Sequence, residues 1–348
     1  MAISLLNRLT FFVTRITRFE FWPFWIFYIP MYFYGIYLAI RARSPMYFSA
    51  ANPGMKYGGV MGESKYKVLS GITSEFIPKS TLVRLPMKSE DLLNKINEAG
   101  LDFPLILKPD VGERGKEVEL VHSADELKKY ITGKSGSYIV QEYVDFQEEY
   151  GVLYYRMPGE NHGKVTSVVH KEFLTVTGNG KNSLGELVSS EIRAQSRLDY
   201  LAGKFADSWN SILPIGEKKR LEPIGNHCRG TSFLDANRLL GDRLSAVFDT
   251  ISLQIDGFYY GRFDLKVPSE EYLLHGKDIK ILELNGVSSE VAHIYDPDYS
   301  LLTAWKDTAR HMKIIYKIAL KNHALGQPYD HLQPFLKDLR RHLKAQRN

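Results

Sequence analysis

Gly261-Arg262-Phe263-Asp264-Leu265-Lys266, followed after a turn by Ile281-Leu282-Glu283-Leu284-Asn285, is the stretch around which the rest of the chain is arranged. Apolar and polar residues alternate in both segments, so each reads as a half-buried strand. Arg262, Asp264 and Lys266 then share one face of the first strand, and Glu283 and Asn285 one face of the second. If the strands pair, two carboxylates and an amide converge. Hard oxygen ligands of this kind, with positions left for phosphate oxygens, suit Mg²⁺ held together with a nucleotide. Taken alone, the same residues fit equally well a surface hairpin whose polar face meets water.

Upstream, Phe103-Pro104-Leu105-Ile106-Leu107-Lys108-Pro109 is an apolar strand ending in a lysine, and the loop after it carries Gly112, Arg114, Gly115 and Lys116. Two glycines and two cations let backbone N–H groups and side chains close over a polyphosphate, although surface hairpins share this composition. Lys108, a point charge on a rigid strand end, favours the phosphate reading. Next, Ser137-Tyr138-Ile139-Val140-Gln141-Glu142-Tyr143-Val144 is a strand with a polar end. Its backbone there can meet the edge of a purine, and the carboxylate of Glu148 can hold ribose hydroxyls. Two further strands follow, the second closing with His170-Lys171.

In this order the features resemble the ATP-grasp superfamily of carboxylate–amine ligases, D-alanine–D-alanine ligases among them, across roughly residues 65–320. The resemblance is carried by FPLILKP with its glycine-rich loop, IVQEYV followed by Glu148, Lys171, and GRFDLKV followed by ILELN. It implies an α+β fold of two lobes clamping ATP. Lys108 and Lys171 then contact phosphates under the loop of Gly112, Arg114, Gly115 and Lys116. Adenine lies on Gln141, Glu142, Tyr143 and Val144, and ribose on Glu148. Asp264, Glu283 and Asn285 take Mg²⁺, and Arg262 neutralises the reacting carboxyl group. Residues 176–187 are similar to an insert of cyanophycin synthetase and related amino-acid ligases, which also points to amide bond formation.

The chain departs from this pattern in two places. Such ligases begin with a complete Rossmann-like domain, whereas residues 1–60 offer one short strand at residues 45–51, so the N-terminal domain is reduced or atypical. After Asn285, D-alanine ligases have a serine-proline-glycine-methionine turn; this chain has Gly286-Val287-Ser288-Ser289-Glu290-Val291-Ala292-His293. Substrate reading is expected there, through Ser288 and Ser289, together with His227 and Arg229 from the loop Gly225-Asn226-His227-Cys228-Arg229-Gly230. A lone loop histidine is also commonly structural.

Residues 21–40, FWPFWIFYIPMYFYGIYLAI, carry no charge and are bracketed by Arg15, Arg18 and Glu20 before and Arg41 and Arg43 after. Their length just crosses a hydrocarbon core of about 30 Å. Yet the wealth of Trp and Tyr, with Pro23 and Pro30, suits the interface better than the bilayer centre. Three readings stay open: a helix or re-entrant hairpin in the membrane face, a buried core helix or homodimer interface, and a true span. The basic tail from about residue 330 reads as a helix packed along one stripe of Phe335, Leu336, Leu339 and Leu343, or as a contact for anionic lipid.

The expected division is 1–62 for the aromatic segment, 63–137 and 138–325 for the lobes, and 326–348 for the tail. The 348 residues, 44% hydrophobic with a net charge of +5, exclude a disordered chain and favour anionic partners without indicating nucleic acid. A single cysteine, Cys228, excludes an internal disulfide and points to a reducing, cytoplasmic setting, with the inner membrane face as an alternative. The expected reaction joins a small carboxylate to an amine with ATP and Mg²⁺, on a lipid-linked precursor if the membrane reading holds. The alternatives are an ATP-binding scaffold without ligation and a kinase that stops at phosphoryl transfer.

Overall fold

The computed structural model describes residues 13–112 and 117–347. Strands β1 (Ser80–Leu85), β2 (Leu105–Pro109), β3 (Glu119–Val121) and β4 (Gly136–Glu142) form an antiparallel sheet in the order β1-β4-β2-β3. Their alternation puts Val83, Leu85, Leu105, Leu107 and Val140 on one face. There they pack on the helices Ser89–Glu98 and Ala124–Ile131 through Leu92, Ile96 and Leu127. Ser123 caps the second helix by accepting from the Glu126 amide. The division expected after residue 137 is corrected: it cuts through β4, whose pairing with β1 and β2 holds it in this first sheet as far as Glu142.

Strands β5 (Glu148–Arg156) and β6 (Gly163–Glu172) open the second sheet, and β7 (Thr175–Thr177) with β8 (Lys218–Arg220) makes a small ribbon. With β9 (Ser232–Asp235), β10 (Tyr260–Val267) and β11 (Lys280–Asn285) the second sheet is antiparallel in the order β11-β10-β5-β6-β9. Strand parity sorts its two faces. Tyr150, Val152, Tyr154, Phe263, Leu265 and Val267 bury against the helix Asp242–Ser252 through Leu244, Phe248 and Ile251. Glu149, Arg262, Asp264 and Lys266 are left on the other face, which turns toward the first sheet.

The aromatic segment is a wall of the protein. Helices Phe24–Phe27 and Ile29–Ala42 bury Phe27 and Leu38 in a cluster with Ala304, Ile315 and Ile318 of the long helix Leu301–Ala324. Trp305 donates its indole N–H to the Phe27 carbonyl at 2.9 Å. Among the described residues no helix is long and apolar enough to cross a membrane. The opposite face of Ile29–Ala42 stays open: Phe33 and Ile40 are each 71% exposed.

The strand expected at residues 45–51 is instead a 3₁₀ segment, Tyr47–Ala51. It ends at the buried Asn52, whose amide nitrogen donates to Gly58 O and Tyr260 O and whose oxygen accepts from the amides of Tyr259 and Tyr260. Both ends of one side chain are thereby tied to β10, a satisfied buried amide in place of a strand ladder. Gly59 meets Gly286 so closely that a Cβ on it would lie 2.7 Å from the Gly286 Cα. The C-terminal helix Leu332–Arg347 packs Phe335 and Leu339 against Met46, Tyr57 and Met61, and Asp338 pairs with Lys56 at 2.7 Å.

Candidate active site

The two sheets face each other across a cleft lined by residues of both. β10 and β11 pair antiparallel with Arg262 opposite Asn285 and Asp264 opposite Glu283. The four side chains therefore share the cleft face. An irregularity follows at once, Leu265 pairing with Ile281, which leaves Leu282 as an extra residue. Its carbonyl accepts from Lys108 Nζ at 2.9 Å, so a lysine of the first sheet is seated on the second.

Asp264 is the hub. Arg262 forks onto it with Nε and Nη2 each at 3.1 Å, Lys171 Nζ approaches Oδ1 at 3.1 Å, and Asn285 Nδ2 donates to Oδ2 at 3.0 Å. Burial alone would raise this carboxyl, but the charges of Arg262 and then Lys171 outweigh it and hold the group at about 2. Gly151 of β5 makes room for the fork: a Cβ there would meet Asp264 Oδ1 at 3.1 Å and Arg262 Cδ at 3.2 Å. Lys171 also reaches Glu149 Oε1 at 2.9 Å. Although burial opposes it, the pair of carboxylates keeps the Lys171 ammonium above its ordinary value.

Among the described residues Lys108 has no carboxylate in hydrogen-bonding contact. It donates to Gln141 Oε1 at 3.0 Å, and burial pushes it down to about 8, with Glu283 opposing that shift and Lys65 adding to it. Gln141 Nε2 is buried with no partner among the described residues, and Gln141 lines the cleft with Ile106, Val118, Tyr143 and Val144. Glu283 remains 31% exposed at its side chain and pairs with Lys65 Nζ at 2.8 Å. Burial raises this carboxyl while Lys65 lowers it further, so the net shift is downward.

Of the residues expected from the sequence, Lys108, Gln141, Glu142, Tyr143, Val144, Lys171, Asp264 and Glu283 line the cleft, while Gly112, Arg262, Asn285, Ser288, Ser289 and His227 line a chamber that opens from it. Arg114, Gly115 and Lys116 lie outside the described residues. Glu148 is placed elsewhere. Parity turns it to the helix-bearing face, where it meets His170 Nε2 at 2.6 Å, and Glu149 takes the cleft position. Arg229 points away as well, with Nη2 donating to Val118 O and Nη1 lying 3.6 Å from the buried Glu222. The hydroxyls of Ser288 and Ser289 donate to the carbonyls of Gly59 and Gly286.

Sequence reasoning passed over Lys65, Glu149, Glu20 and Glu290. Counting parity back from Gly151 would have found Glu149. Lys65 sits on the first turn of the short helix Lys65–Leu69, and Glu20 in the 3₁₀ turn Phe19–Phe21, where no pattern marks them.

Among the described residues no three His, Cys, Asp or Glu side chains cluster as a metal site. Asp264, Glu283 and the amide oxygen of Asn285 nevertheless form a hard-oxygen donor set on one face. Such a set suits Mg²⁺ when phosphate oxygens and water complete the coordination.

Residues 65–165 match the RimK-like ATP-grasp domain. No curated protein matches the chain by sequence. Among solved structures it is similar to a D-alanine–D-alanine ligase from Bacillus anthracis, with 13% identity over 76% of this chain and 69% of that one and a TM-score of 0.41. It is also similar to the VanG D-Ala:D-Ser ligase from Enterococcus faecalis, with 14% identity over 75% and 62% and a TM-score of 0.40. Against a bifunctional glutathione synthetase from Pasteurella multocida the identity is 13%, the TM-score is 0.36, and the match takes in 73% of this chain but only 38% of that one. The family match over residues 65–165 and the α+β architecture of two sheets closing on one cleft agree with the ATP-grasp resemblance read from the sequence.

Proposed function

We propose that the protein is an ATP- and Mg²⁺-dependent ligase that joins a carboxylate to an amine through an acyl phosphate. The observation that carries this reading is the convergence of Lys108 from one sheet with Lys171, Arg262, Asp264 and Glu283 from the other. Cations from two lobes at one point suit a triphosphate, whose charge is spread along several oxygens. Ile106, Val118, Tyr143 and Val144, with the unpartnered Gln141 Nε2, suit a flat, hydrogen-bonding base.

A carboxylate oxygen attacks the γ-phosphorus, the bond to the β–γ bridging oxygen breaks, and ADP leaves. The amine then attacks the acyl carbon. The carbon–oxygen bond to phosphate breaks, phosphate departs with the electron pair, and one amine proton ends on it. None of these steps needs a nucleophilic side chain. Arg262 faces the reacting carboxyl, and Lys108 and Lys171 hold phosphate oxygens. Mg²⁺ held by Asp264, Glu283 and Asn285 would neutralise the triphosphate.

Glu283→Gln should lower substrate-stimulated ADP release by about two to three orders of magnitude. Unchanged release would overturn the assignment. Isotope from a labelled amine entering the product separates ligation from phosphoryl transfer alone, and a scaffold would bind ATP without turnover.

A second reading concerns place. Trp25, Ile29, Tyr32, Phe33, Ile36, Tyr37 and Ile40 are exposed on one side of the aromatic segment, at helical spacing, with Arg41 at the helix end and Arg43 just after it. A stripe of this composition fits a helix lying in the plane of a lipid surface. The full chain should float with phosphatidylglycerol vesicles and Phe33→Asp should not; equal flotation of both removes this reading.

A further inference from the structure

Beside the cleft, the chamber lined by Arg262, Asn285, Ser288 and Ser289 has an empty volume of about 1820 Å³. Its far wall comes from the N-terminal segment, through Glu20, Trp22 and Phe24, and from Phe233 and Tyr295. Glu290 stands on this wall, five residues after Asn285, within the segment that departs from the ligase pattern. Its backbone carbonyl accepts from Arg262 Nη1 at 3.1 Å, which fixes it next to the group that faces the reacting carboxyl.

The side chain of Glu290 is held from two sides. Tyr28 and Tyr295 both donate to Oε1, at 3.1 and 2.6 Å. Burial and then the Glu290 charge raise both phenols well above their ordinary value, so the tyrosines stay protonated and act as donors. Both donors are on one oxygen; among the described residues none is on Oε2, and Glu290 lines the chamber. A second carboxylate lines the same chamber. Glu20 is bound through Oε2 by Arg193, with His227 Nε2 at 3.7 Å, while its Oε1 is buried with no hydrogen-bond partner and Arg18 Nη1 is 3.7 Å off. Its side chain is only 2% exposed, and an unsatisfied buried carboxylate oxygen is expensive unless a donor reaches it.

We infer that Glu290, clamped by Tyr28 and Tyr295, binds the acceptor amine as its ammonium and takes one proton from it, which leaves the free amine that attacks the acyl carbon, and that this acceptor carries an aromatic or bulky apolar body. The Glu290 oxygen that neither tyrosine reaches, with the carboxylate of Glu20 in the same chamber wall, favours a cation with several N–H groups, and an ammonium offers three. Trp22, Phe24, Phe233 and Tyr295 give that cation and its body an aromatic surround. Arg262 repels the cation from the position of the carboxyl substrate, so donor and acceptor are sorted by charge within one chamber. Tyr28 belongs to the aromatic segment, which thereby helps to select the substrate.

This inference rests on the ligase reading, but its test needs no turnover. Isothermal titration of the full chain with phenethylamine and with its neutral counterpart 2-phenylethanol reads the charge preference directly. The amine should bind at least about tenfold more tightly than the alcohol. Glu290→Gln keeps an oxygen for both tyrosines and removes the charge; it should weaken the amine about tenfold and leave the alcohol unchanged, with thermal unfolding confirming that the variant is folded. Equal binding of amine and alcohol, no binding of either, or undiminished amine binding by a folded Glu290→Gln each overturns the assignment. The comparison on the unmodified chain decides even if the variant does not fold. ADP release, measured separately, tells failure of this subsite from failure of the ligase reading.

Discussion

The cleft between the sheets and the chamber beside it are built by different means. The cleft is made of strands: Lys108, Gln141, Glu149, Lys171, Asp264 and Glu283 all stand on β-strands, and alternation alone decides which of them look inward. The chamber adds to a strand wall a second wall of turns and short helices. Glu20, Trp22, Val60, His227, Ser288 and Glu290 come together from four separate parts of the chain. A strand wall can be read from its own residues, whereas a loop wall takes its geometry from what it is tied to, here Asn52 on β10 and Gly59 against Gly286.

The sharpest way to break this contrast is to compare two adjacent glutamates. Glu149 faces the cleft and binds Lys171, while Glu148 faces the helix side and binds His170. Glu149→Ala leaves Lys171 buried with Asp264 as its one remaining carboxylate. If this costs about 2 kcal/mol at the transition state, ADP release falls about 30-fold. Glu148→Ala should stay within about threefold. Should the two variants lose activity equally, parity is not what sorts this wall.

The residues that parity governs were legible. Arg262, Asp264, Glu283 and Asn285 could be assigned to one face from the alternation of their neighbours, and β10 and β11 pair in the register that brings them together. Glu148 was misread because its number in the strand was judged from the chemistry of a carboxylate and not counted from Gly151. The aromatic segment was illegible for another reason. Phe27 and Leu38 face the helix Leu301–Ala324 while Phe33 and Ile40 face outward, yet all four are apolar, so composition could not separate a packed face from an open one. Tyr28 is in the site only through a bond to Glu290, 262 positions away, and no local pattern encodes a contact at that separation.

Within the cleft, Lys108 and Lys171 sharpen the comparison by pH. Lys171 is kept charged by two carboxylates, but Lys108 is pushed by burial to about 8. A bound triphosphate favours the ammonium, so ATP affinity draws on a proton that Lys108 loses above that value. Calorimetric ATP binding should weaken about tenfold between pH 7 and pH 9, and Lys108→Met should make the profile flat. Folding stability runs the other way. The unfolded lysine stays protonated to about 10.4 while the folded one does not, so the nucleotide-free protein gains stability as pH rises from about 8 toward that value. Affinity and stability moving in the same direction would show that another group governs the profile.

The smallest effect on turnover is expected at Arg229, which tests where the chamber ends. His227 and Arg229 are two residues apart in the 3₁₀ turn His227–Arg229, yet His227 packs edge-on to Phe233 and tilted against Tyr295 in the chamber wall while Arg229 turns to Glu222. Glu222 is buried, and its carboxylate lies among three cations: Arg197 at 3.4 Å, Lys204 at 3.5 Å and Arg229 at 3.6 Å. Removing one of the three leaves the carboxylate paired but less well compensated. Arg229→Ala should therefore lower folding stability by about 1 to 2 kcal/mol, read by denaturant unfolding, while ADP release changes less than about twofold. His227→Ala should show the reverse, with little loss of stability and a raised KM for the substrate in the chamber. If Arg229→Ala instead raises KM with stability intact, the chamber extends past Phe233 to the small ribbon of β7 and β8, and the acceptor it holds is longer than the aromatic wall alone implies.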